Sequence, residues 1–131
     1  MVLRTTIFAI ILIAPNSGLT AALPMAGSCE PKEMAFIDSV SWQDSYATIA
    51  NGGRSLQGTI IGKREHGESF KLSIMYEDPI MGQSETIVFG YTASSSISYR
   101  IGTVHYDLLE GGQRVVSSMS GFVDAICVLI D

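Results

Sequence analysis

The chain has 131 residues, with 8 Lys+Arg against 13 Asp+Glu and a formal net charge of −5. That length is one domain's worth, and the acidic balance excludes a protein drawn to phosphate backbones by its overall field. The two cysteines (29 and 127) and two histidines (66 and 105) lack the close spacing of a zinc site, and no phosphate-binding glycine loop or Ser-His-Asp motif is legible, so no cofactor is expected.

Met1 to Arg4 is short and carries one positive charge. Thr6 to Ala14 is an apolar run too short to span a bilayer, and Pro15 to Gly18 breaks any helix. Thr20-Ala21-Ala22 offers the small residues that precede a cleavage site. The pattern predicts a signal peptide over 1–22, a secreted protein and a mature domain over 23–131. Without Arg4 that domain keeps 7 Lys+Arg and all 13 Asp+Glu, so its formal charge is 7 − 13 = −6. A competing reading lipidates Cys29 after Ala26-Gly27-Ser28, but Ala26 stands where Leu is usual and Cys127 would lose its partner. As the only cysteines of an exported chain, Cys29 and Cys127 are expected to bond to each other. No later run approaches the length of a membrane helix, so no membrane anchor is expected.

Glu30 to Val40 is ambiguous, with alternation that allows a short strand. Ser41 to Asn51 reads as a helix: Ser41 is a good N-cap, Asp44 answers it, and Trp42, Tyr46 and Ile49 fall on one apolar face. Asn51-Gly52-Gly53 supplies a left-handed stop; the alternative is a strand over Ser45–Ile49. After Gly53 the period becomes two. Strands are expected over Leu56–Lys63, with Gly58 and Gly62 as bulge points, and over Ser69–Tyr76 and Glu85–Tyr91. Ile97 to Ile101 alternates, Val104 to Leu109 extends or follows it, and Gly111-Gly112 marks a hairpin turn. Phe122 to Ile130 is the last strand. The fold class expected is α+β, one helix packed on an antiparallel sheet.

The order of several short motifs resembles the small guanyl-specific ribonucleases of fungi, and more closely the catalytically degenerate ribonuclease-like effectors secreted by plant-pathogenic fungi such as powdery mildews. The terminal cysteines, Ile60-Ile61-Gly62-Lys63, Phe70-Lys71-Leu72-Ser73, Tyr76-Glu77-Asp78-Pro79-Ile80, Arg100, Val115 to Gly121 and Phe122-Val123 to Cys127 carry the likeness across nearly the whole domain. The resemblance implies a ribonuclease-like fold in which Glu77 matches the base and Arg100 the phosphate clamp. Both histidine positions are lost: Gly62 stands at one, Ser118 or Ser117 at the other. Cleavage at the RNA 2′-hydroxyl needs an acid for the leaving oxygen, so no catalytic residue is assigned and the expectation is a protein without ribonuclease activity. His66 and His105 are the available substitutes.

Strand parity places Glu77 with Lys71, Ser73 and Met75, and Arg100 with Ser98. Glu77, Arg100, Lys63 and Lys71 are therefore the expected residual ligand site, in one concave surface, with Arg64 adding to a basic cluster. An exposed cross-strand ion pair is the plainer reading of Glu77 and Arg100. What the resemblance implies is a secreted effector, translocated into host cytoplasm, that binds a host protein such as an immune receptor, with weak RNA affinity and no metal. The alternatives are an active guanyl-preferring ribonuclease with a relocated histidine, and an unrelated secreted β-rich inhibitor or periplasmic protein.

Overall fold

The computed structural model describes residues 25–130; the signal peptide expected over 1–22 lies outside them. Nine strands succeed one another: β1 (Ala26–Pro31), β2 (Ser39–Gln43), β3 (Tyr46–Asn51), β4 (Arg54–His66), β5 (Ser69–Asp78), β6 (Gly82–Ala93), β7 (Ser96–Leu108), β8 (Arg114–Met119) and β9 (Val123–Ile130). Strands β1 to β7 form an antiparallel meander in which each pairs with the next. Strand β9 pairs with β1 on one side and with Tyr99–Ile101 of β7 on the other. That closes a barrel of eight strands; β8 pairs with β7 alone. Because β8 and β9 follow the same side of β7, they act as one long strand that bends at Ser120–Phe122 while passing from β7 to β1.

There is no helix among the described residues, so the α+β, ribonuclease-like fold with one helix is not the architecture; the protein is all-β. The segment expected as a helix, Ser41 to Asn51, is the β2–β3 hairpin, turning at Asp44 and Ser45 with Asp44 at φ 55°. Its helical signals were local, whereas burial follows period two. Val40, Trp42, Ala47 and Ile49 are buried, and Tyr46, assigned to the apolar helix face, is 73% exposed. Asn51-Gly52-Gly53 serves a hairpin as readily as a helix stop. Gly52 and Gly53 have φ of +61° and +83° in the two-residue turn that pairs Asn51 with Arg54, the left-handed conformation such turns require.

The barrel axis is filled. Trp42, Ile49, Phe70, Leu72, Ile74, Val88 and Ile101 are all under 5% exposed and form one cluster. Two glycines make room for large neighbours. A Cβ on Gly90 would lie 2.2 Å from the Phe70 ring, and one on Gly27 2.7 Å from Trp42. Burying Trp42 contributes about 1.5–3 kcal/mol or more from apolar area alone. The Cys29–Cys127 disulfide joins β1 to β9 as a directly opposed pair with Cα atoms 4.1 Å apart. It locks the seam where first and last strands meet, at a sequence separation of 98 residues.

Candidate functional site

A β-bulge builds the one place where several predicted site residues meet. The β4–β5 register slips between Ile60 and Gly62, leaving Ile61 extra. Bulges re-aim side chains and recur beside functional sites. Beyond the slip, Gly62 lies opposite Ser73 and Arg64 opposite Lys71. An open pocket of about 240 Å³ results, lined by Gly62, Lys63, Arg64, Lys71 and Ser73. Gly62 keeps it open, its nearest neighbour being the Ser73 Cβ, 3.5 Å from where a Cβ would stand. Lys63, Arg64 and Lys71 form no ion pair with a described residue. Like charges directly opposed across two strands destabilise a sheet, so the Arg64–Lys71 pairing costs stability and yields a local positive field on a chain of net charge −5.

Arg100 stands further along the same band. Lys71 and Arg100 both lie opposite Phe89, from β5 and β7 respectively, about 10 Å apart at two strand spacings. Arg100 is partly satisfied: it donates to the Phe122 carbonyl at 2.6 Å and faces Asp124 at 3.6 Å. The Phe122 ring packs on Phe89, centroids 5.1 Å apart. Glu77 is left out of this group. It shares the outward face but lies opposite Gln83, six residues along β6 from Phe89, about 20 Å away. That outward face is the convex outside of a closed barrel, so Glu77 and Arg100 do not share a concavity. His66 is exposed at the tip of the β4–β5 hairpin.

The other histidine lies inside the barrel, as its odd separation from Arg100 dictates. His105 is 1% exposed and its Nδ1 sits 2.6 Å from the Ser84 hydroxyl. The Ser84 hydroxyl also reaches the Gly82 carbonyl at 3.4 Å. The tautomer with Nδ1–H donating to Ser84 lets Ser84 donate onward to Gly82, and it leaves Nε2 as a bare acceptor. Nε2 has no hydrogen-bond partner among the described residues, and the Phe36 ring packs edge-on at 4.9 Å. Burial pushes the His105 pKa down, outweighing the nearby Asp78 charge. The Asp78 carboxyl is fully buried, and burial alone would raise its pKa. The bidentate bonds from Arg54 at 3.2 and 3.4 Å, with N–H donors from Ile80 and Met81, hold it below the usual range.

Thr86 and Thr103 complete this polar end, their hydroxyls 3.4 Å apart. The Tyr76 hydroxyl lies among them without a hydrogen bond of regular geometry, and burial raises its pKa. The structure thus brings Ser84, His105 and Asp78 together, which sequence spacing did not reveal. They do not form a relay. The carboxylate is bound to Arg54 rather than to imidazole, and Ser84 is 0% exposed. The legible signal was parity: Asp78, Ser84, Thr86, Thr103 and His105 all fall on inward positions of their strands. No family model matches the chain, and no curated protein or solved structure matches it either.

Proposed function

We propose that this is an exported binding protein that does not cleave RNA, and that it takes an anionic segment of a partner protein in the pocket at the β4 bulge. The observation that carries the reading is the opposed Arg64–Lys71 pair with Lys63 on the same pocket, none of which forms an ion pair with a described residue, on a chain that is acidic overall. An acidic side chain entering there replaces a repulsion by charge-assisted hydrogen bonds. The Ser73 hydroxyl offers a neutral donor on the same wall. The partner is defined here by its chemistry, a protein segment rich in Asp and Glu; a host protein was implied by the resemblance alone, and the ribonuclease-like α+β fold of that resemblance is not this one. What supports the absence of cleavage is that the histidine with a hydroxyl partner is sealed inside the barrel, and that Glu77, the base the resemblance implied, stands away from the cations, where a general base could not serve them.

The test is fluorescence anisotropy with a labelled Asp/Glu-rich peptide and with a single-stranded RNA oligomer. The peptide is expected to bind at low salt, more tightly than RNA, and Arg64→Glu with Lys71→Glu to abolish it. Three phosphate contacts limit the RNA salt slope to about −2. No binding of either probe at low salt, or undiminished binding by the double variant, would overturn the reading.

A further inference from the structure

The barrel is left open along part of its last seam. Strand β9 pairs with β7 only from Tyr99↔Ala125 to Ile101↔Val123. The same register would carry Ser98, Ile97 and Ser96 past Ile126, Cys127 and Val128. No backbone hydrogen bond joins these residues across the gap. An open cleft of about 440 Å³ stands there instead, lined by residues 96–99 and 124–127 with Lys32 and Tyr91.

The backbone shows which groups face that cleft. In an antiparallel strand the N–H and C=O of one residue point to the same side, and the side alternates along the chain. The Lys32 N–H donates to the Asp124 carbonyl at 2.8 Å, so Asp124, Ile126, Val128 and Ile130 direct their backbone groups to β1. Cys127 and Leu129 therefore direct theirs into the cleft. The Cys29–Cys127 pair agrees. Its Cα atoms are 4.1 Å apart, the closer antiparallel spacing, at which opposed residues exchange no hydrogen bonds. On the other wall the Ser120 N–H donates to the Thr103 carbonyl at 2.8 Å, and alternation from Thr103 turns Ile97 toward the same cleft. Ile97, Cys127 and Leu129 thus hold out N–H and C=O groups with no backbone partner among the described residues.

We infer that an extended segment of a partner protein completes this seam by pairing antiparallel with β9. The groups of Cys127 and Leu129 recur about 7 Å apart, the two-residue repeat of a strand, and another extended backbone offers donors and acceptors at that same interval. Residues 126–130, Ile-Cys-Val-Leu-Ile, contain no charge or proline and keep an unbroken register with β1. They lack the devices that guard a free edge. The outer edge of β8 has them: it opens on Arg114, and its pairing with β7 slips between His105 and Tyr106. A second copy is a poor occupant, since its β9 edge lies in the same recess and its β8 edge is the guarded one. Partner residues opposite Cys127 and Leu129 share their inward face, beside Ile97 and Tyr99, which pack on the core, so they are small or β-branched and apolar. The residues between them lie outside with Ile126 and Val128, exposed at 61% and 66%.

Amide hydrogen exchange of the disulfide-intact chain, read residue by residue by NMR, tests the inference. In the free chain the amides of Ile126 and Val128 should exchange slowly and those of Cys127 and Leu129 fast. The probe is an acetylated and amidated Thr-Val-Thr-Val-Thr peptide, its valines opposite Cys127 and Leu129. At millimolar concentration it should slow Cys127 and Leu129 and leave Ile126 and Val128 unchanged. Methylating the amide nitrogens of both valines keeps the side chains and removes the donors to β9. It should weaken binding roughly tenfold or more, the effect of losing two backbone hydrogen bonds. Three results would each overturn the inference: slow exchange of Cys127 and Leu129 in the free chain at every dilution, no change at millimolar peptide, or equal binding of the methylated peptide. Protection of Cys127 and Leu129 that rises with protein concentration alone would give the edge to a second copy and overturn it too. The inference is independent of the bulge pocket. Arg64→Glu with Lys71→Glu should leave this exchange pattern intact, and saturating pentapeptide should leave binding of the Asp/Glu-rich peptide intact, so either reading can fail alone.

Discussion

The two ends of the barrel interior are built by different rules. From Phe70 and Tyr99 through Trp42, Ile49 and Ile74, the filling is apolar and stabilises by area and close packing. At the other end Asp78, Ser84, Thr86, Thr103 and His105 are equally buried and are stable only because most of their polar atoms bond one another, Arg54 or backbone. The difference teaches where reactivity goes in this fold. Serine, histidine and aspartate meet in the polar end, where all three are shut off from solvent. The groups free to act lie outside, where a bulge has turned two cations toward each other.

The comparison can be broken first at its apolar end. Trp42→Ala should lower stability by about 3–5 kcal/mol, a large-to-small core change, read by urea unfolding. A variant as stable as the parent would show that the filling does not carry the fold. Reducing the Cys29–Cys127 bond should cost about 2–5 kcal/mol, up to the ~4.7 kcal/mol that a loop near 100 residues allows. Non-reducing mass analysis should show no free thiol beforehand.

At the polar end, Asp78→Ala should cost about 2–4 kcal/mol. The figure sits below that for a fully buried pair because a third of the Arg54 side chain is exposed. Asp78 has a depressed pKa in the folded state, so its contribution is present above its ordinary value and is lost as pH falls through the folded one. His105 acts at higher pH. Its folded pKa is also depressed, so the unfolded chain binds a proton that the folded chain refuses. Stability should therefore fall as pH drops below about 6.5, the ordinary histidine value. Melting temperature against pH should show this slope, and His105→Asn should remove its upper part. A flat profile between about pH 6.5 and 5 would place His105 in solvent.

The smallest effect sharpens the outer surface. Lys71→Ala should leave stability unchanged or raise it by a few tenths of a kcal/mol, because it relieves the repulsion with Arg64. It should at the same time weaken peptide binding. A clear loss of stability would mean that Lys71 is there for packing.

Much of the sheet was legible because period-two alternation survives in β5, β6, β7 and β9, and Gly62 marked the bulge that shapes the pocket. The helix misreading at Ser41–Asn51 arose because Trp42 and Ile49 satisfy both periods. Only long-range pairing with β1 and β4, invisible along the chain, decides between them. Parity also put Glu77 and Arg100 on one face but could not supply their distance along β6, nor the curvature that makes that face convex. Lys63, Arg64, Lys71 and Arg100 were legible as a basic cluster. The meeting of Lys63, Arg64 and Lys71 with Ser73 required the register slip, which no local signal sizes. The sealed Ser84–His105 contact joins residues 21 apart on strands whose adjacency only the barrel fixes.

The most direct measurement is incubation of the disulfide-intact protein with total RNA and with guanine-containing dinucleotides, beside the peptide titration on the same preparation. The account predicts intact RNA, saturable peptide binding, and loss of that binding with Arg64→Glu and Lys71→Glu. Turnover of RNA that vanishes on replacing His66 or His105 would contradict it, since it would make a catalyst of a histidine that the barrel leaves at a hairpin tip or seals inside.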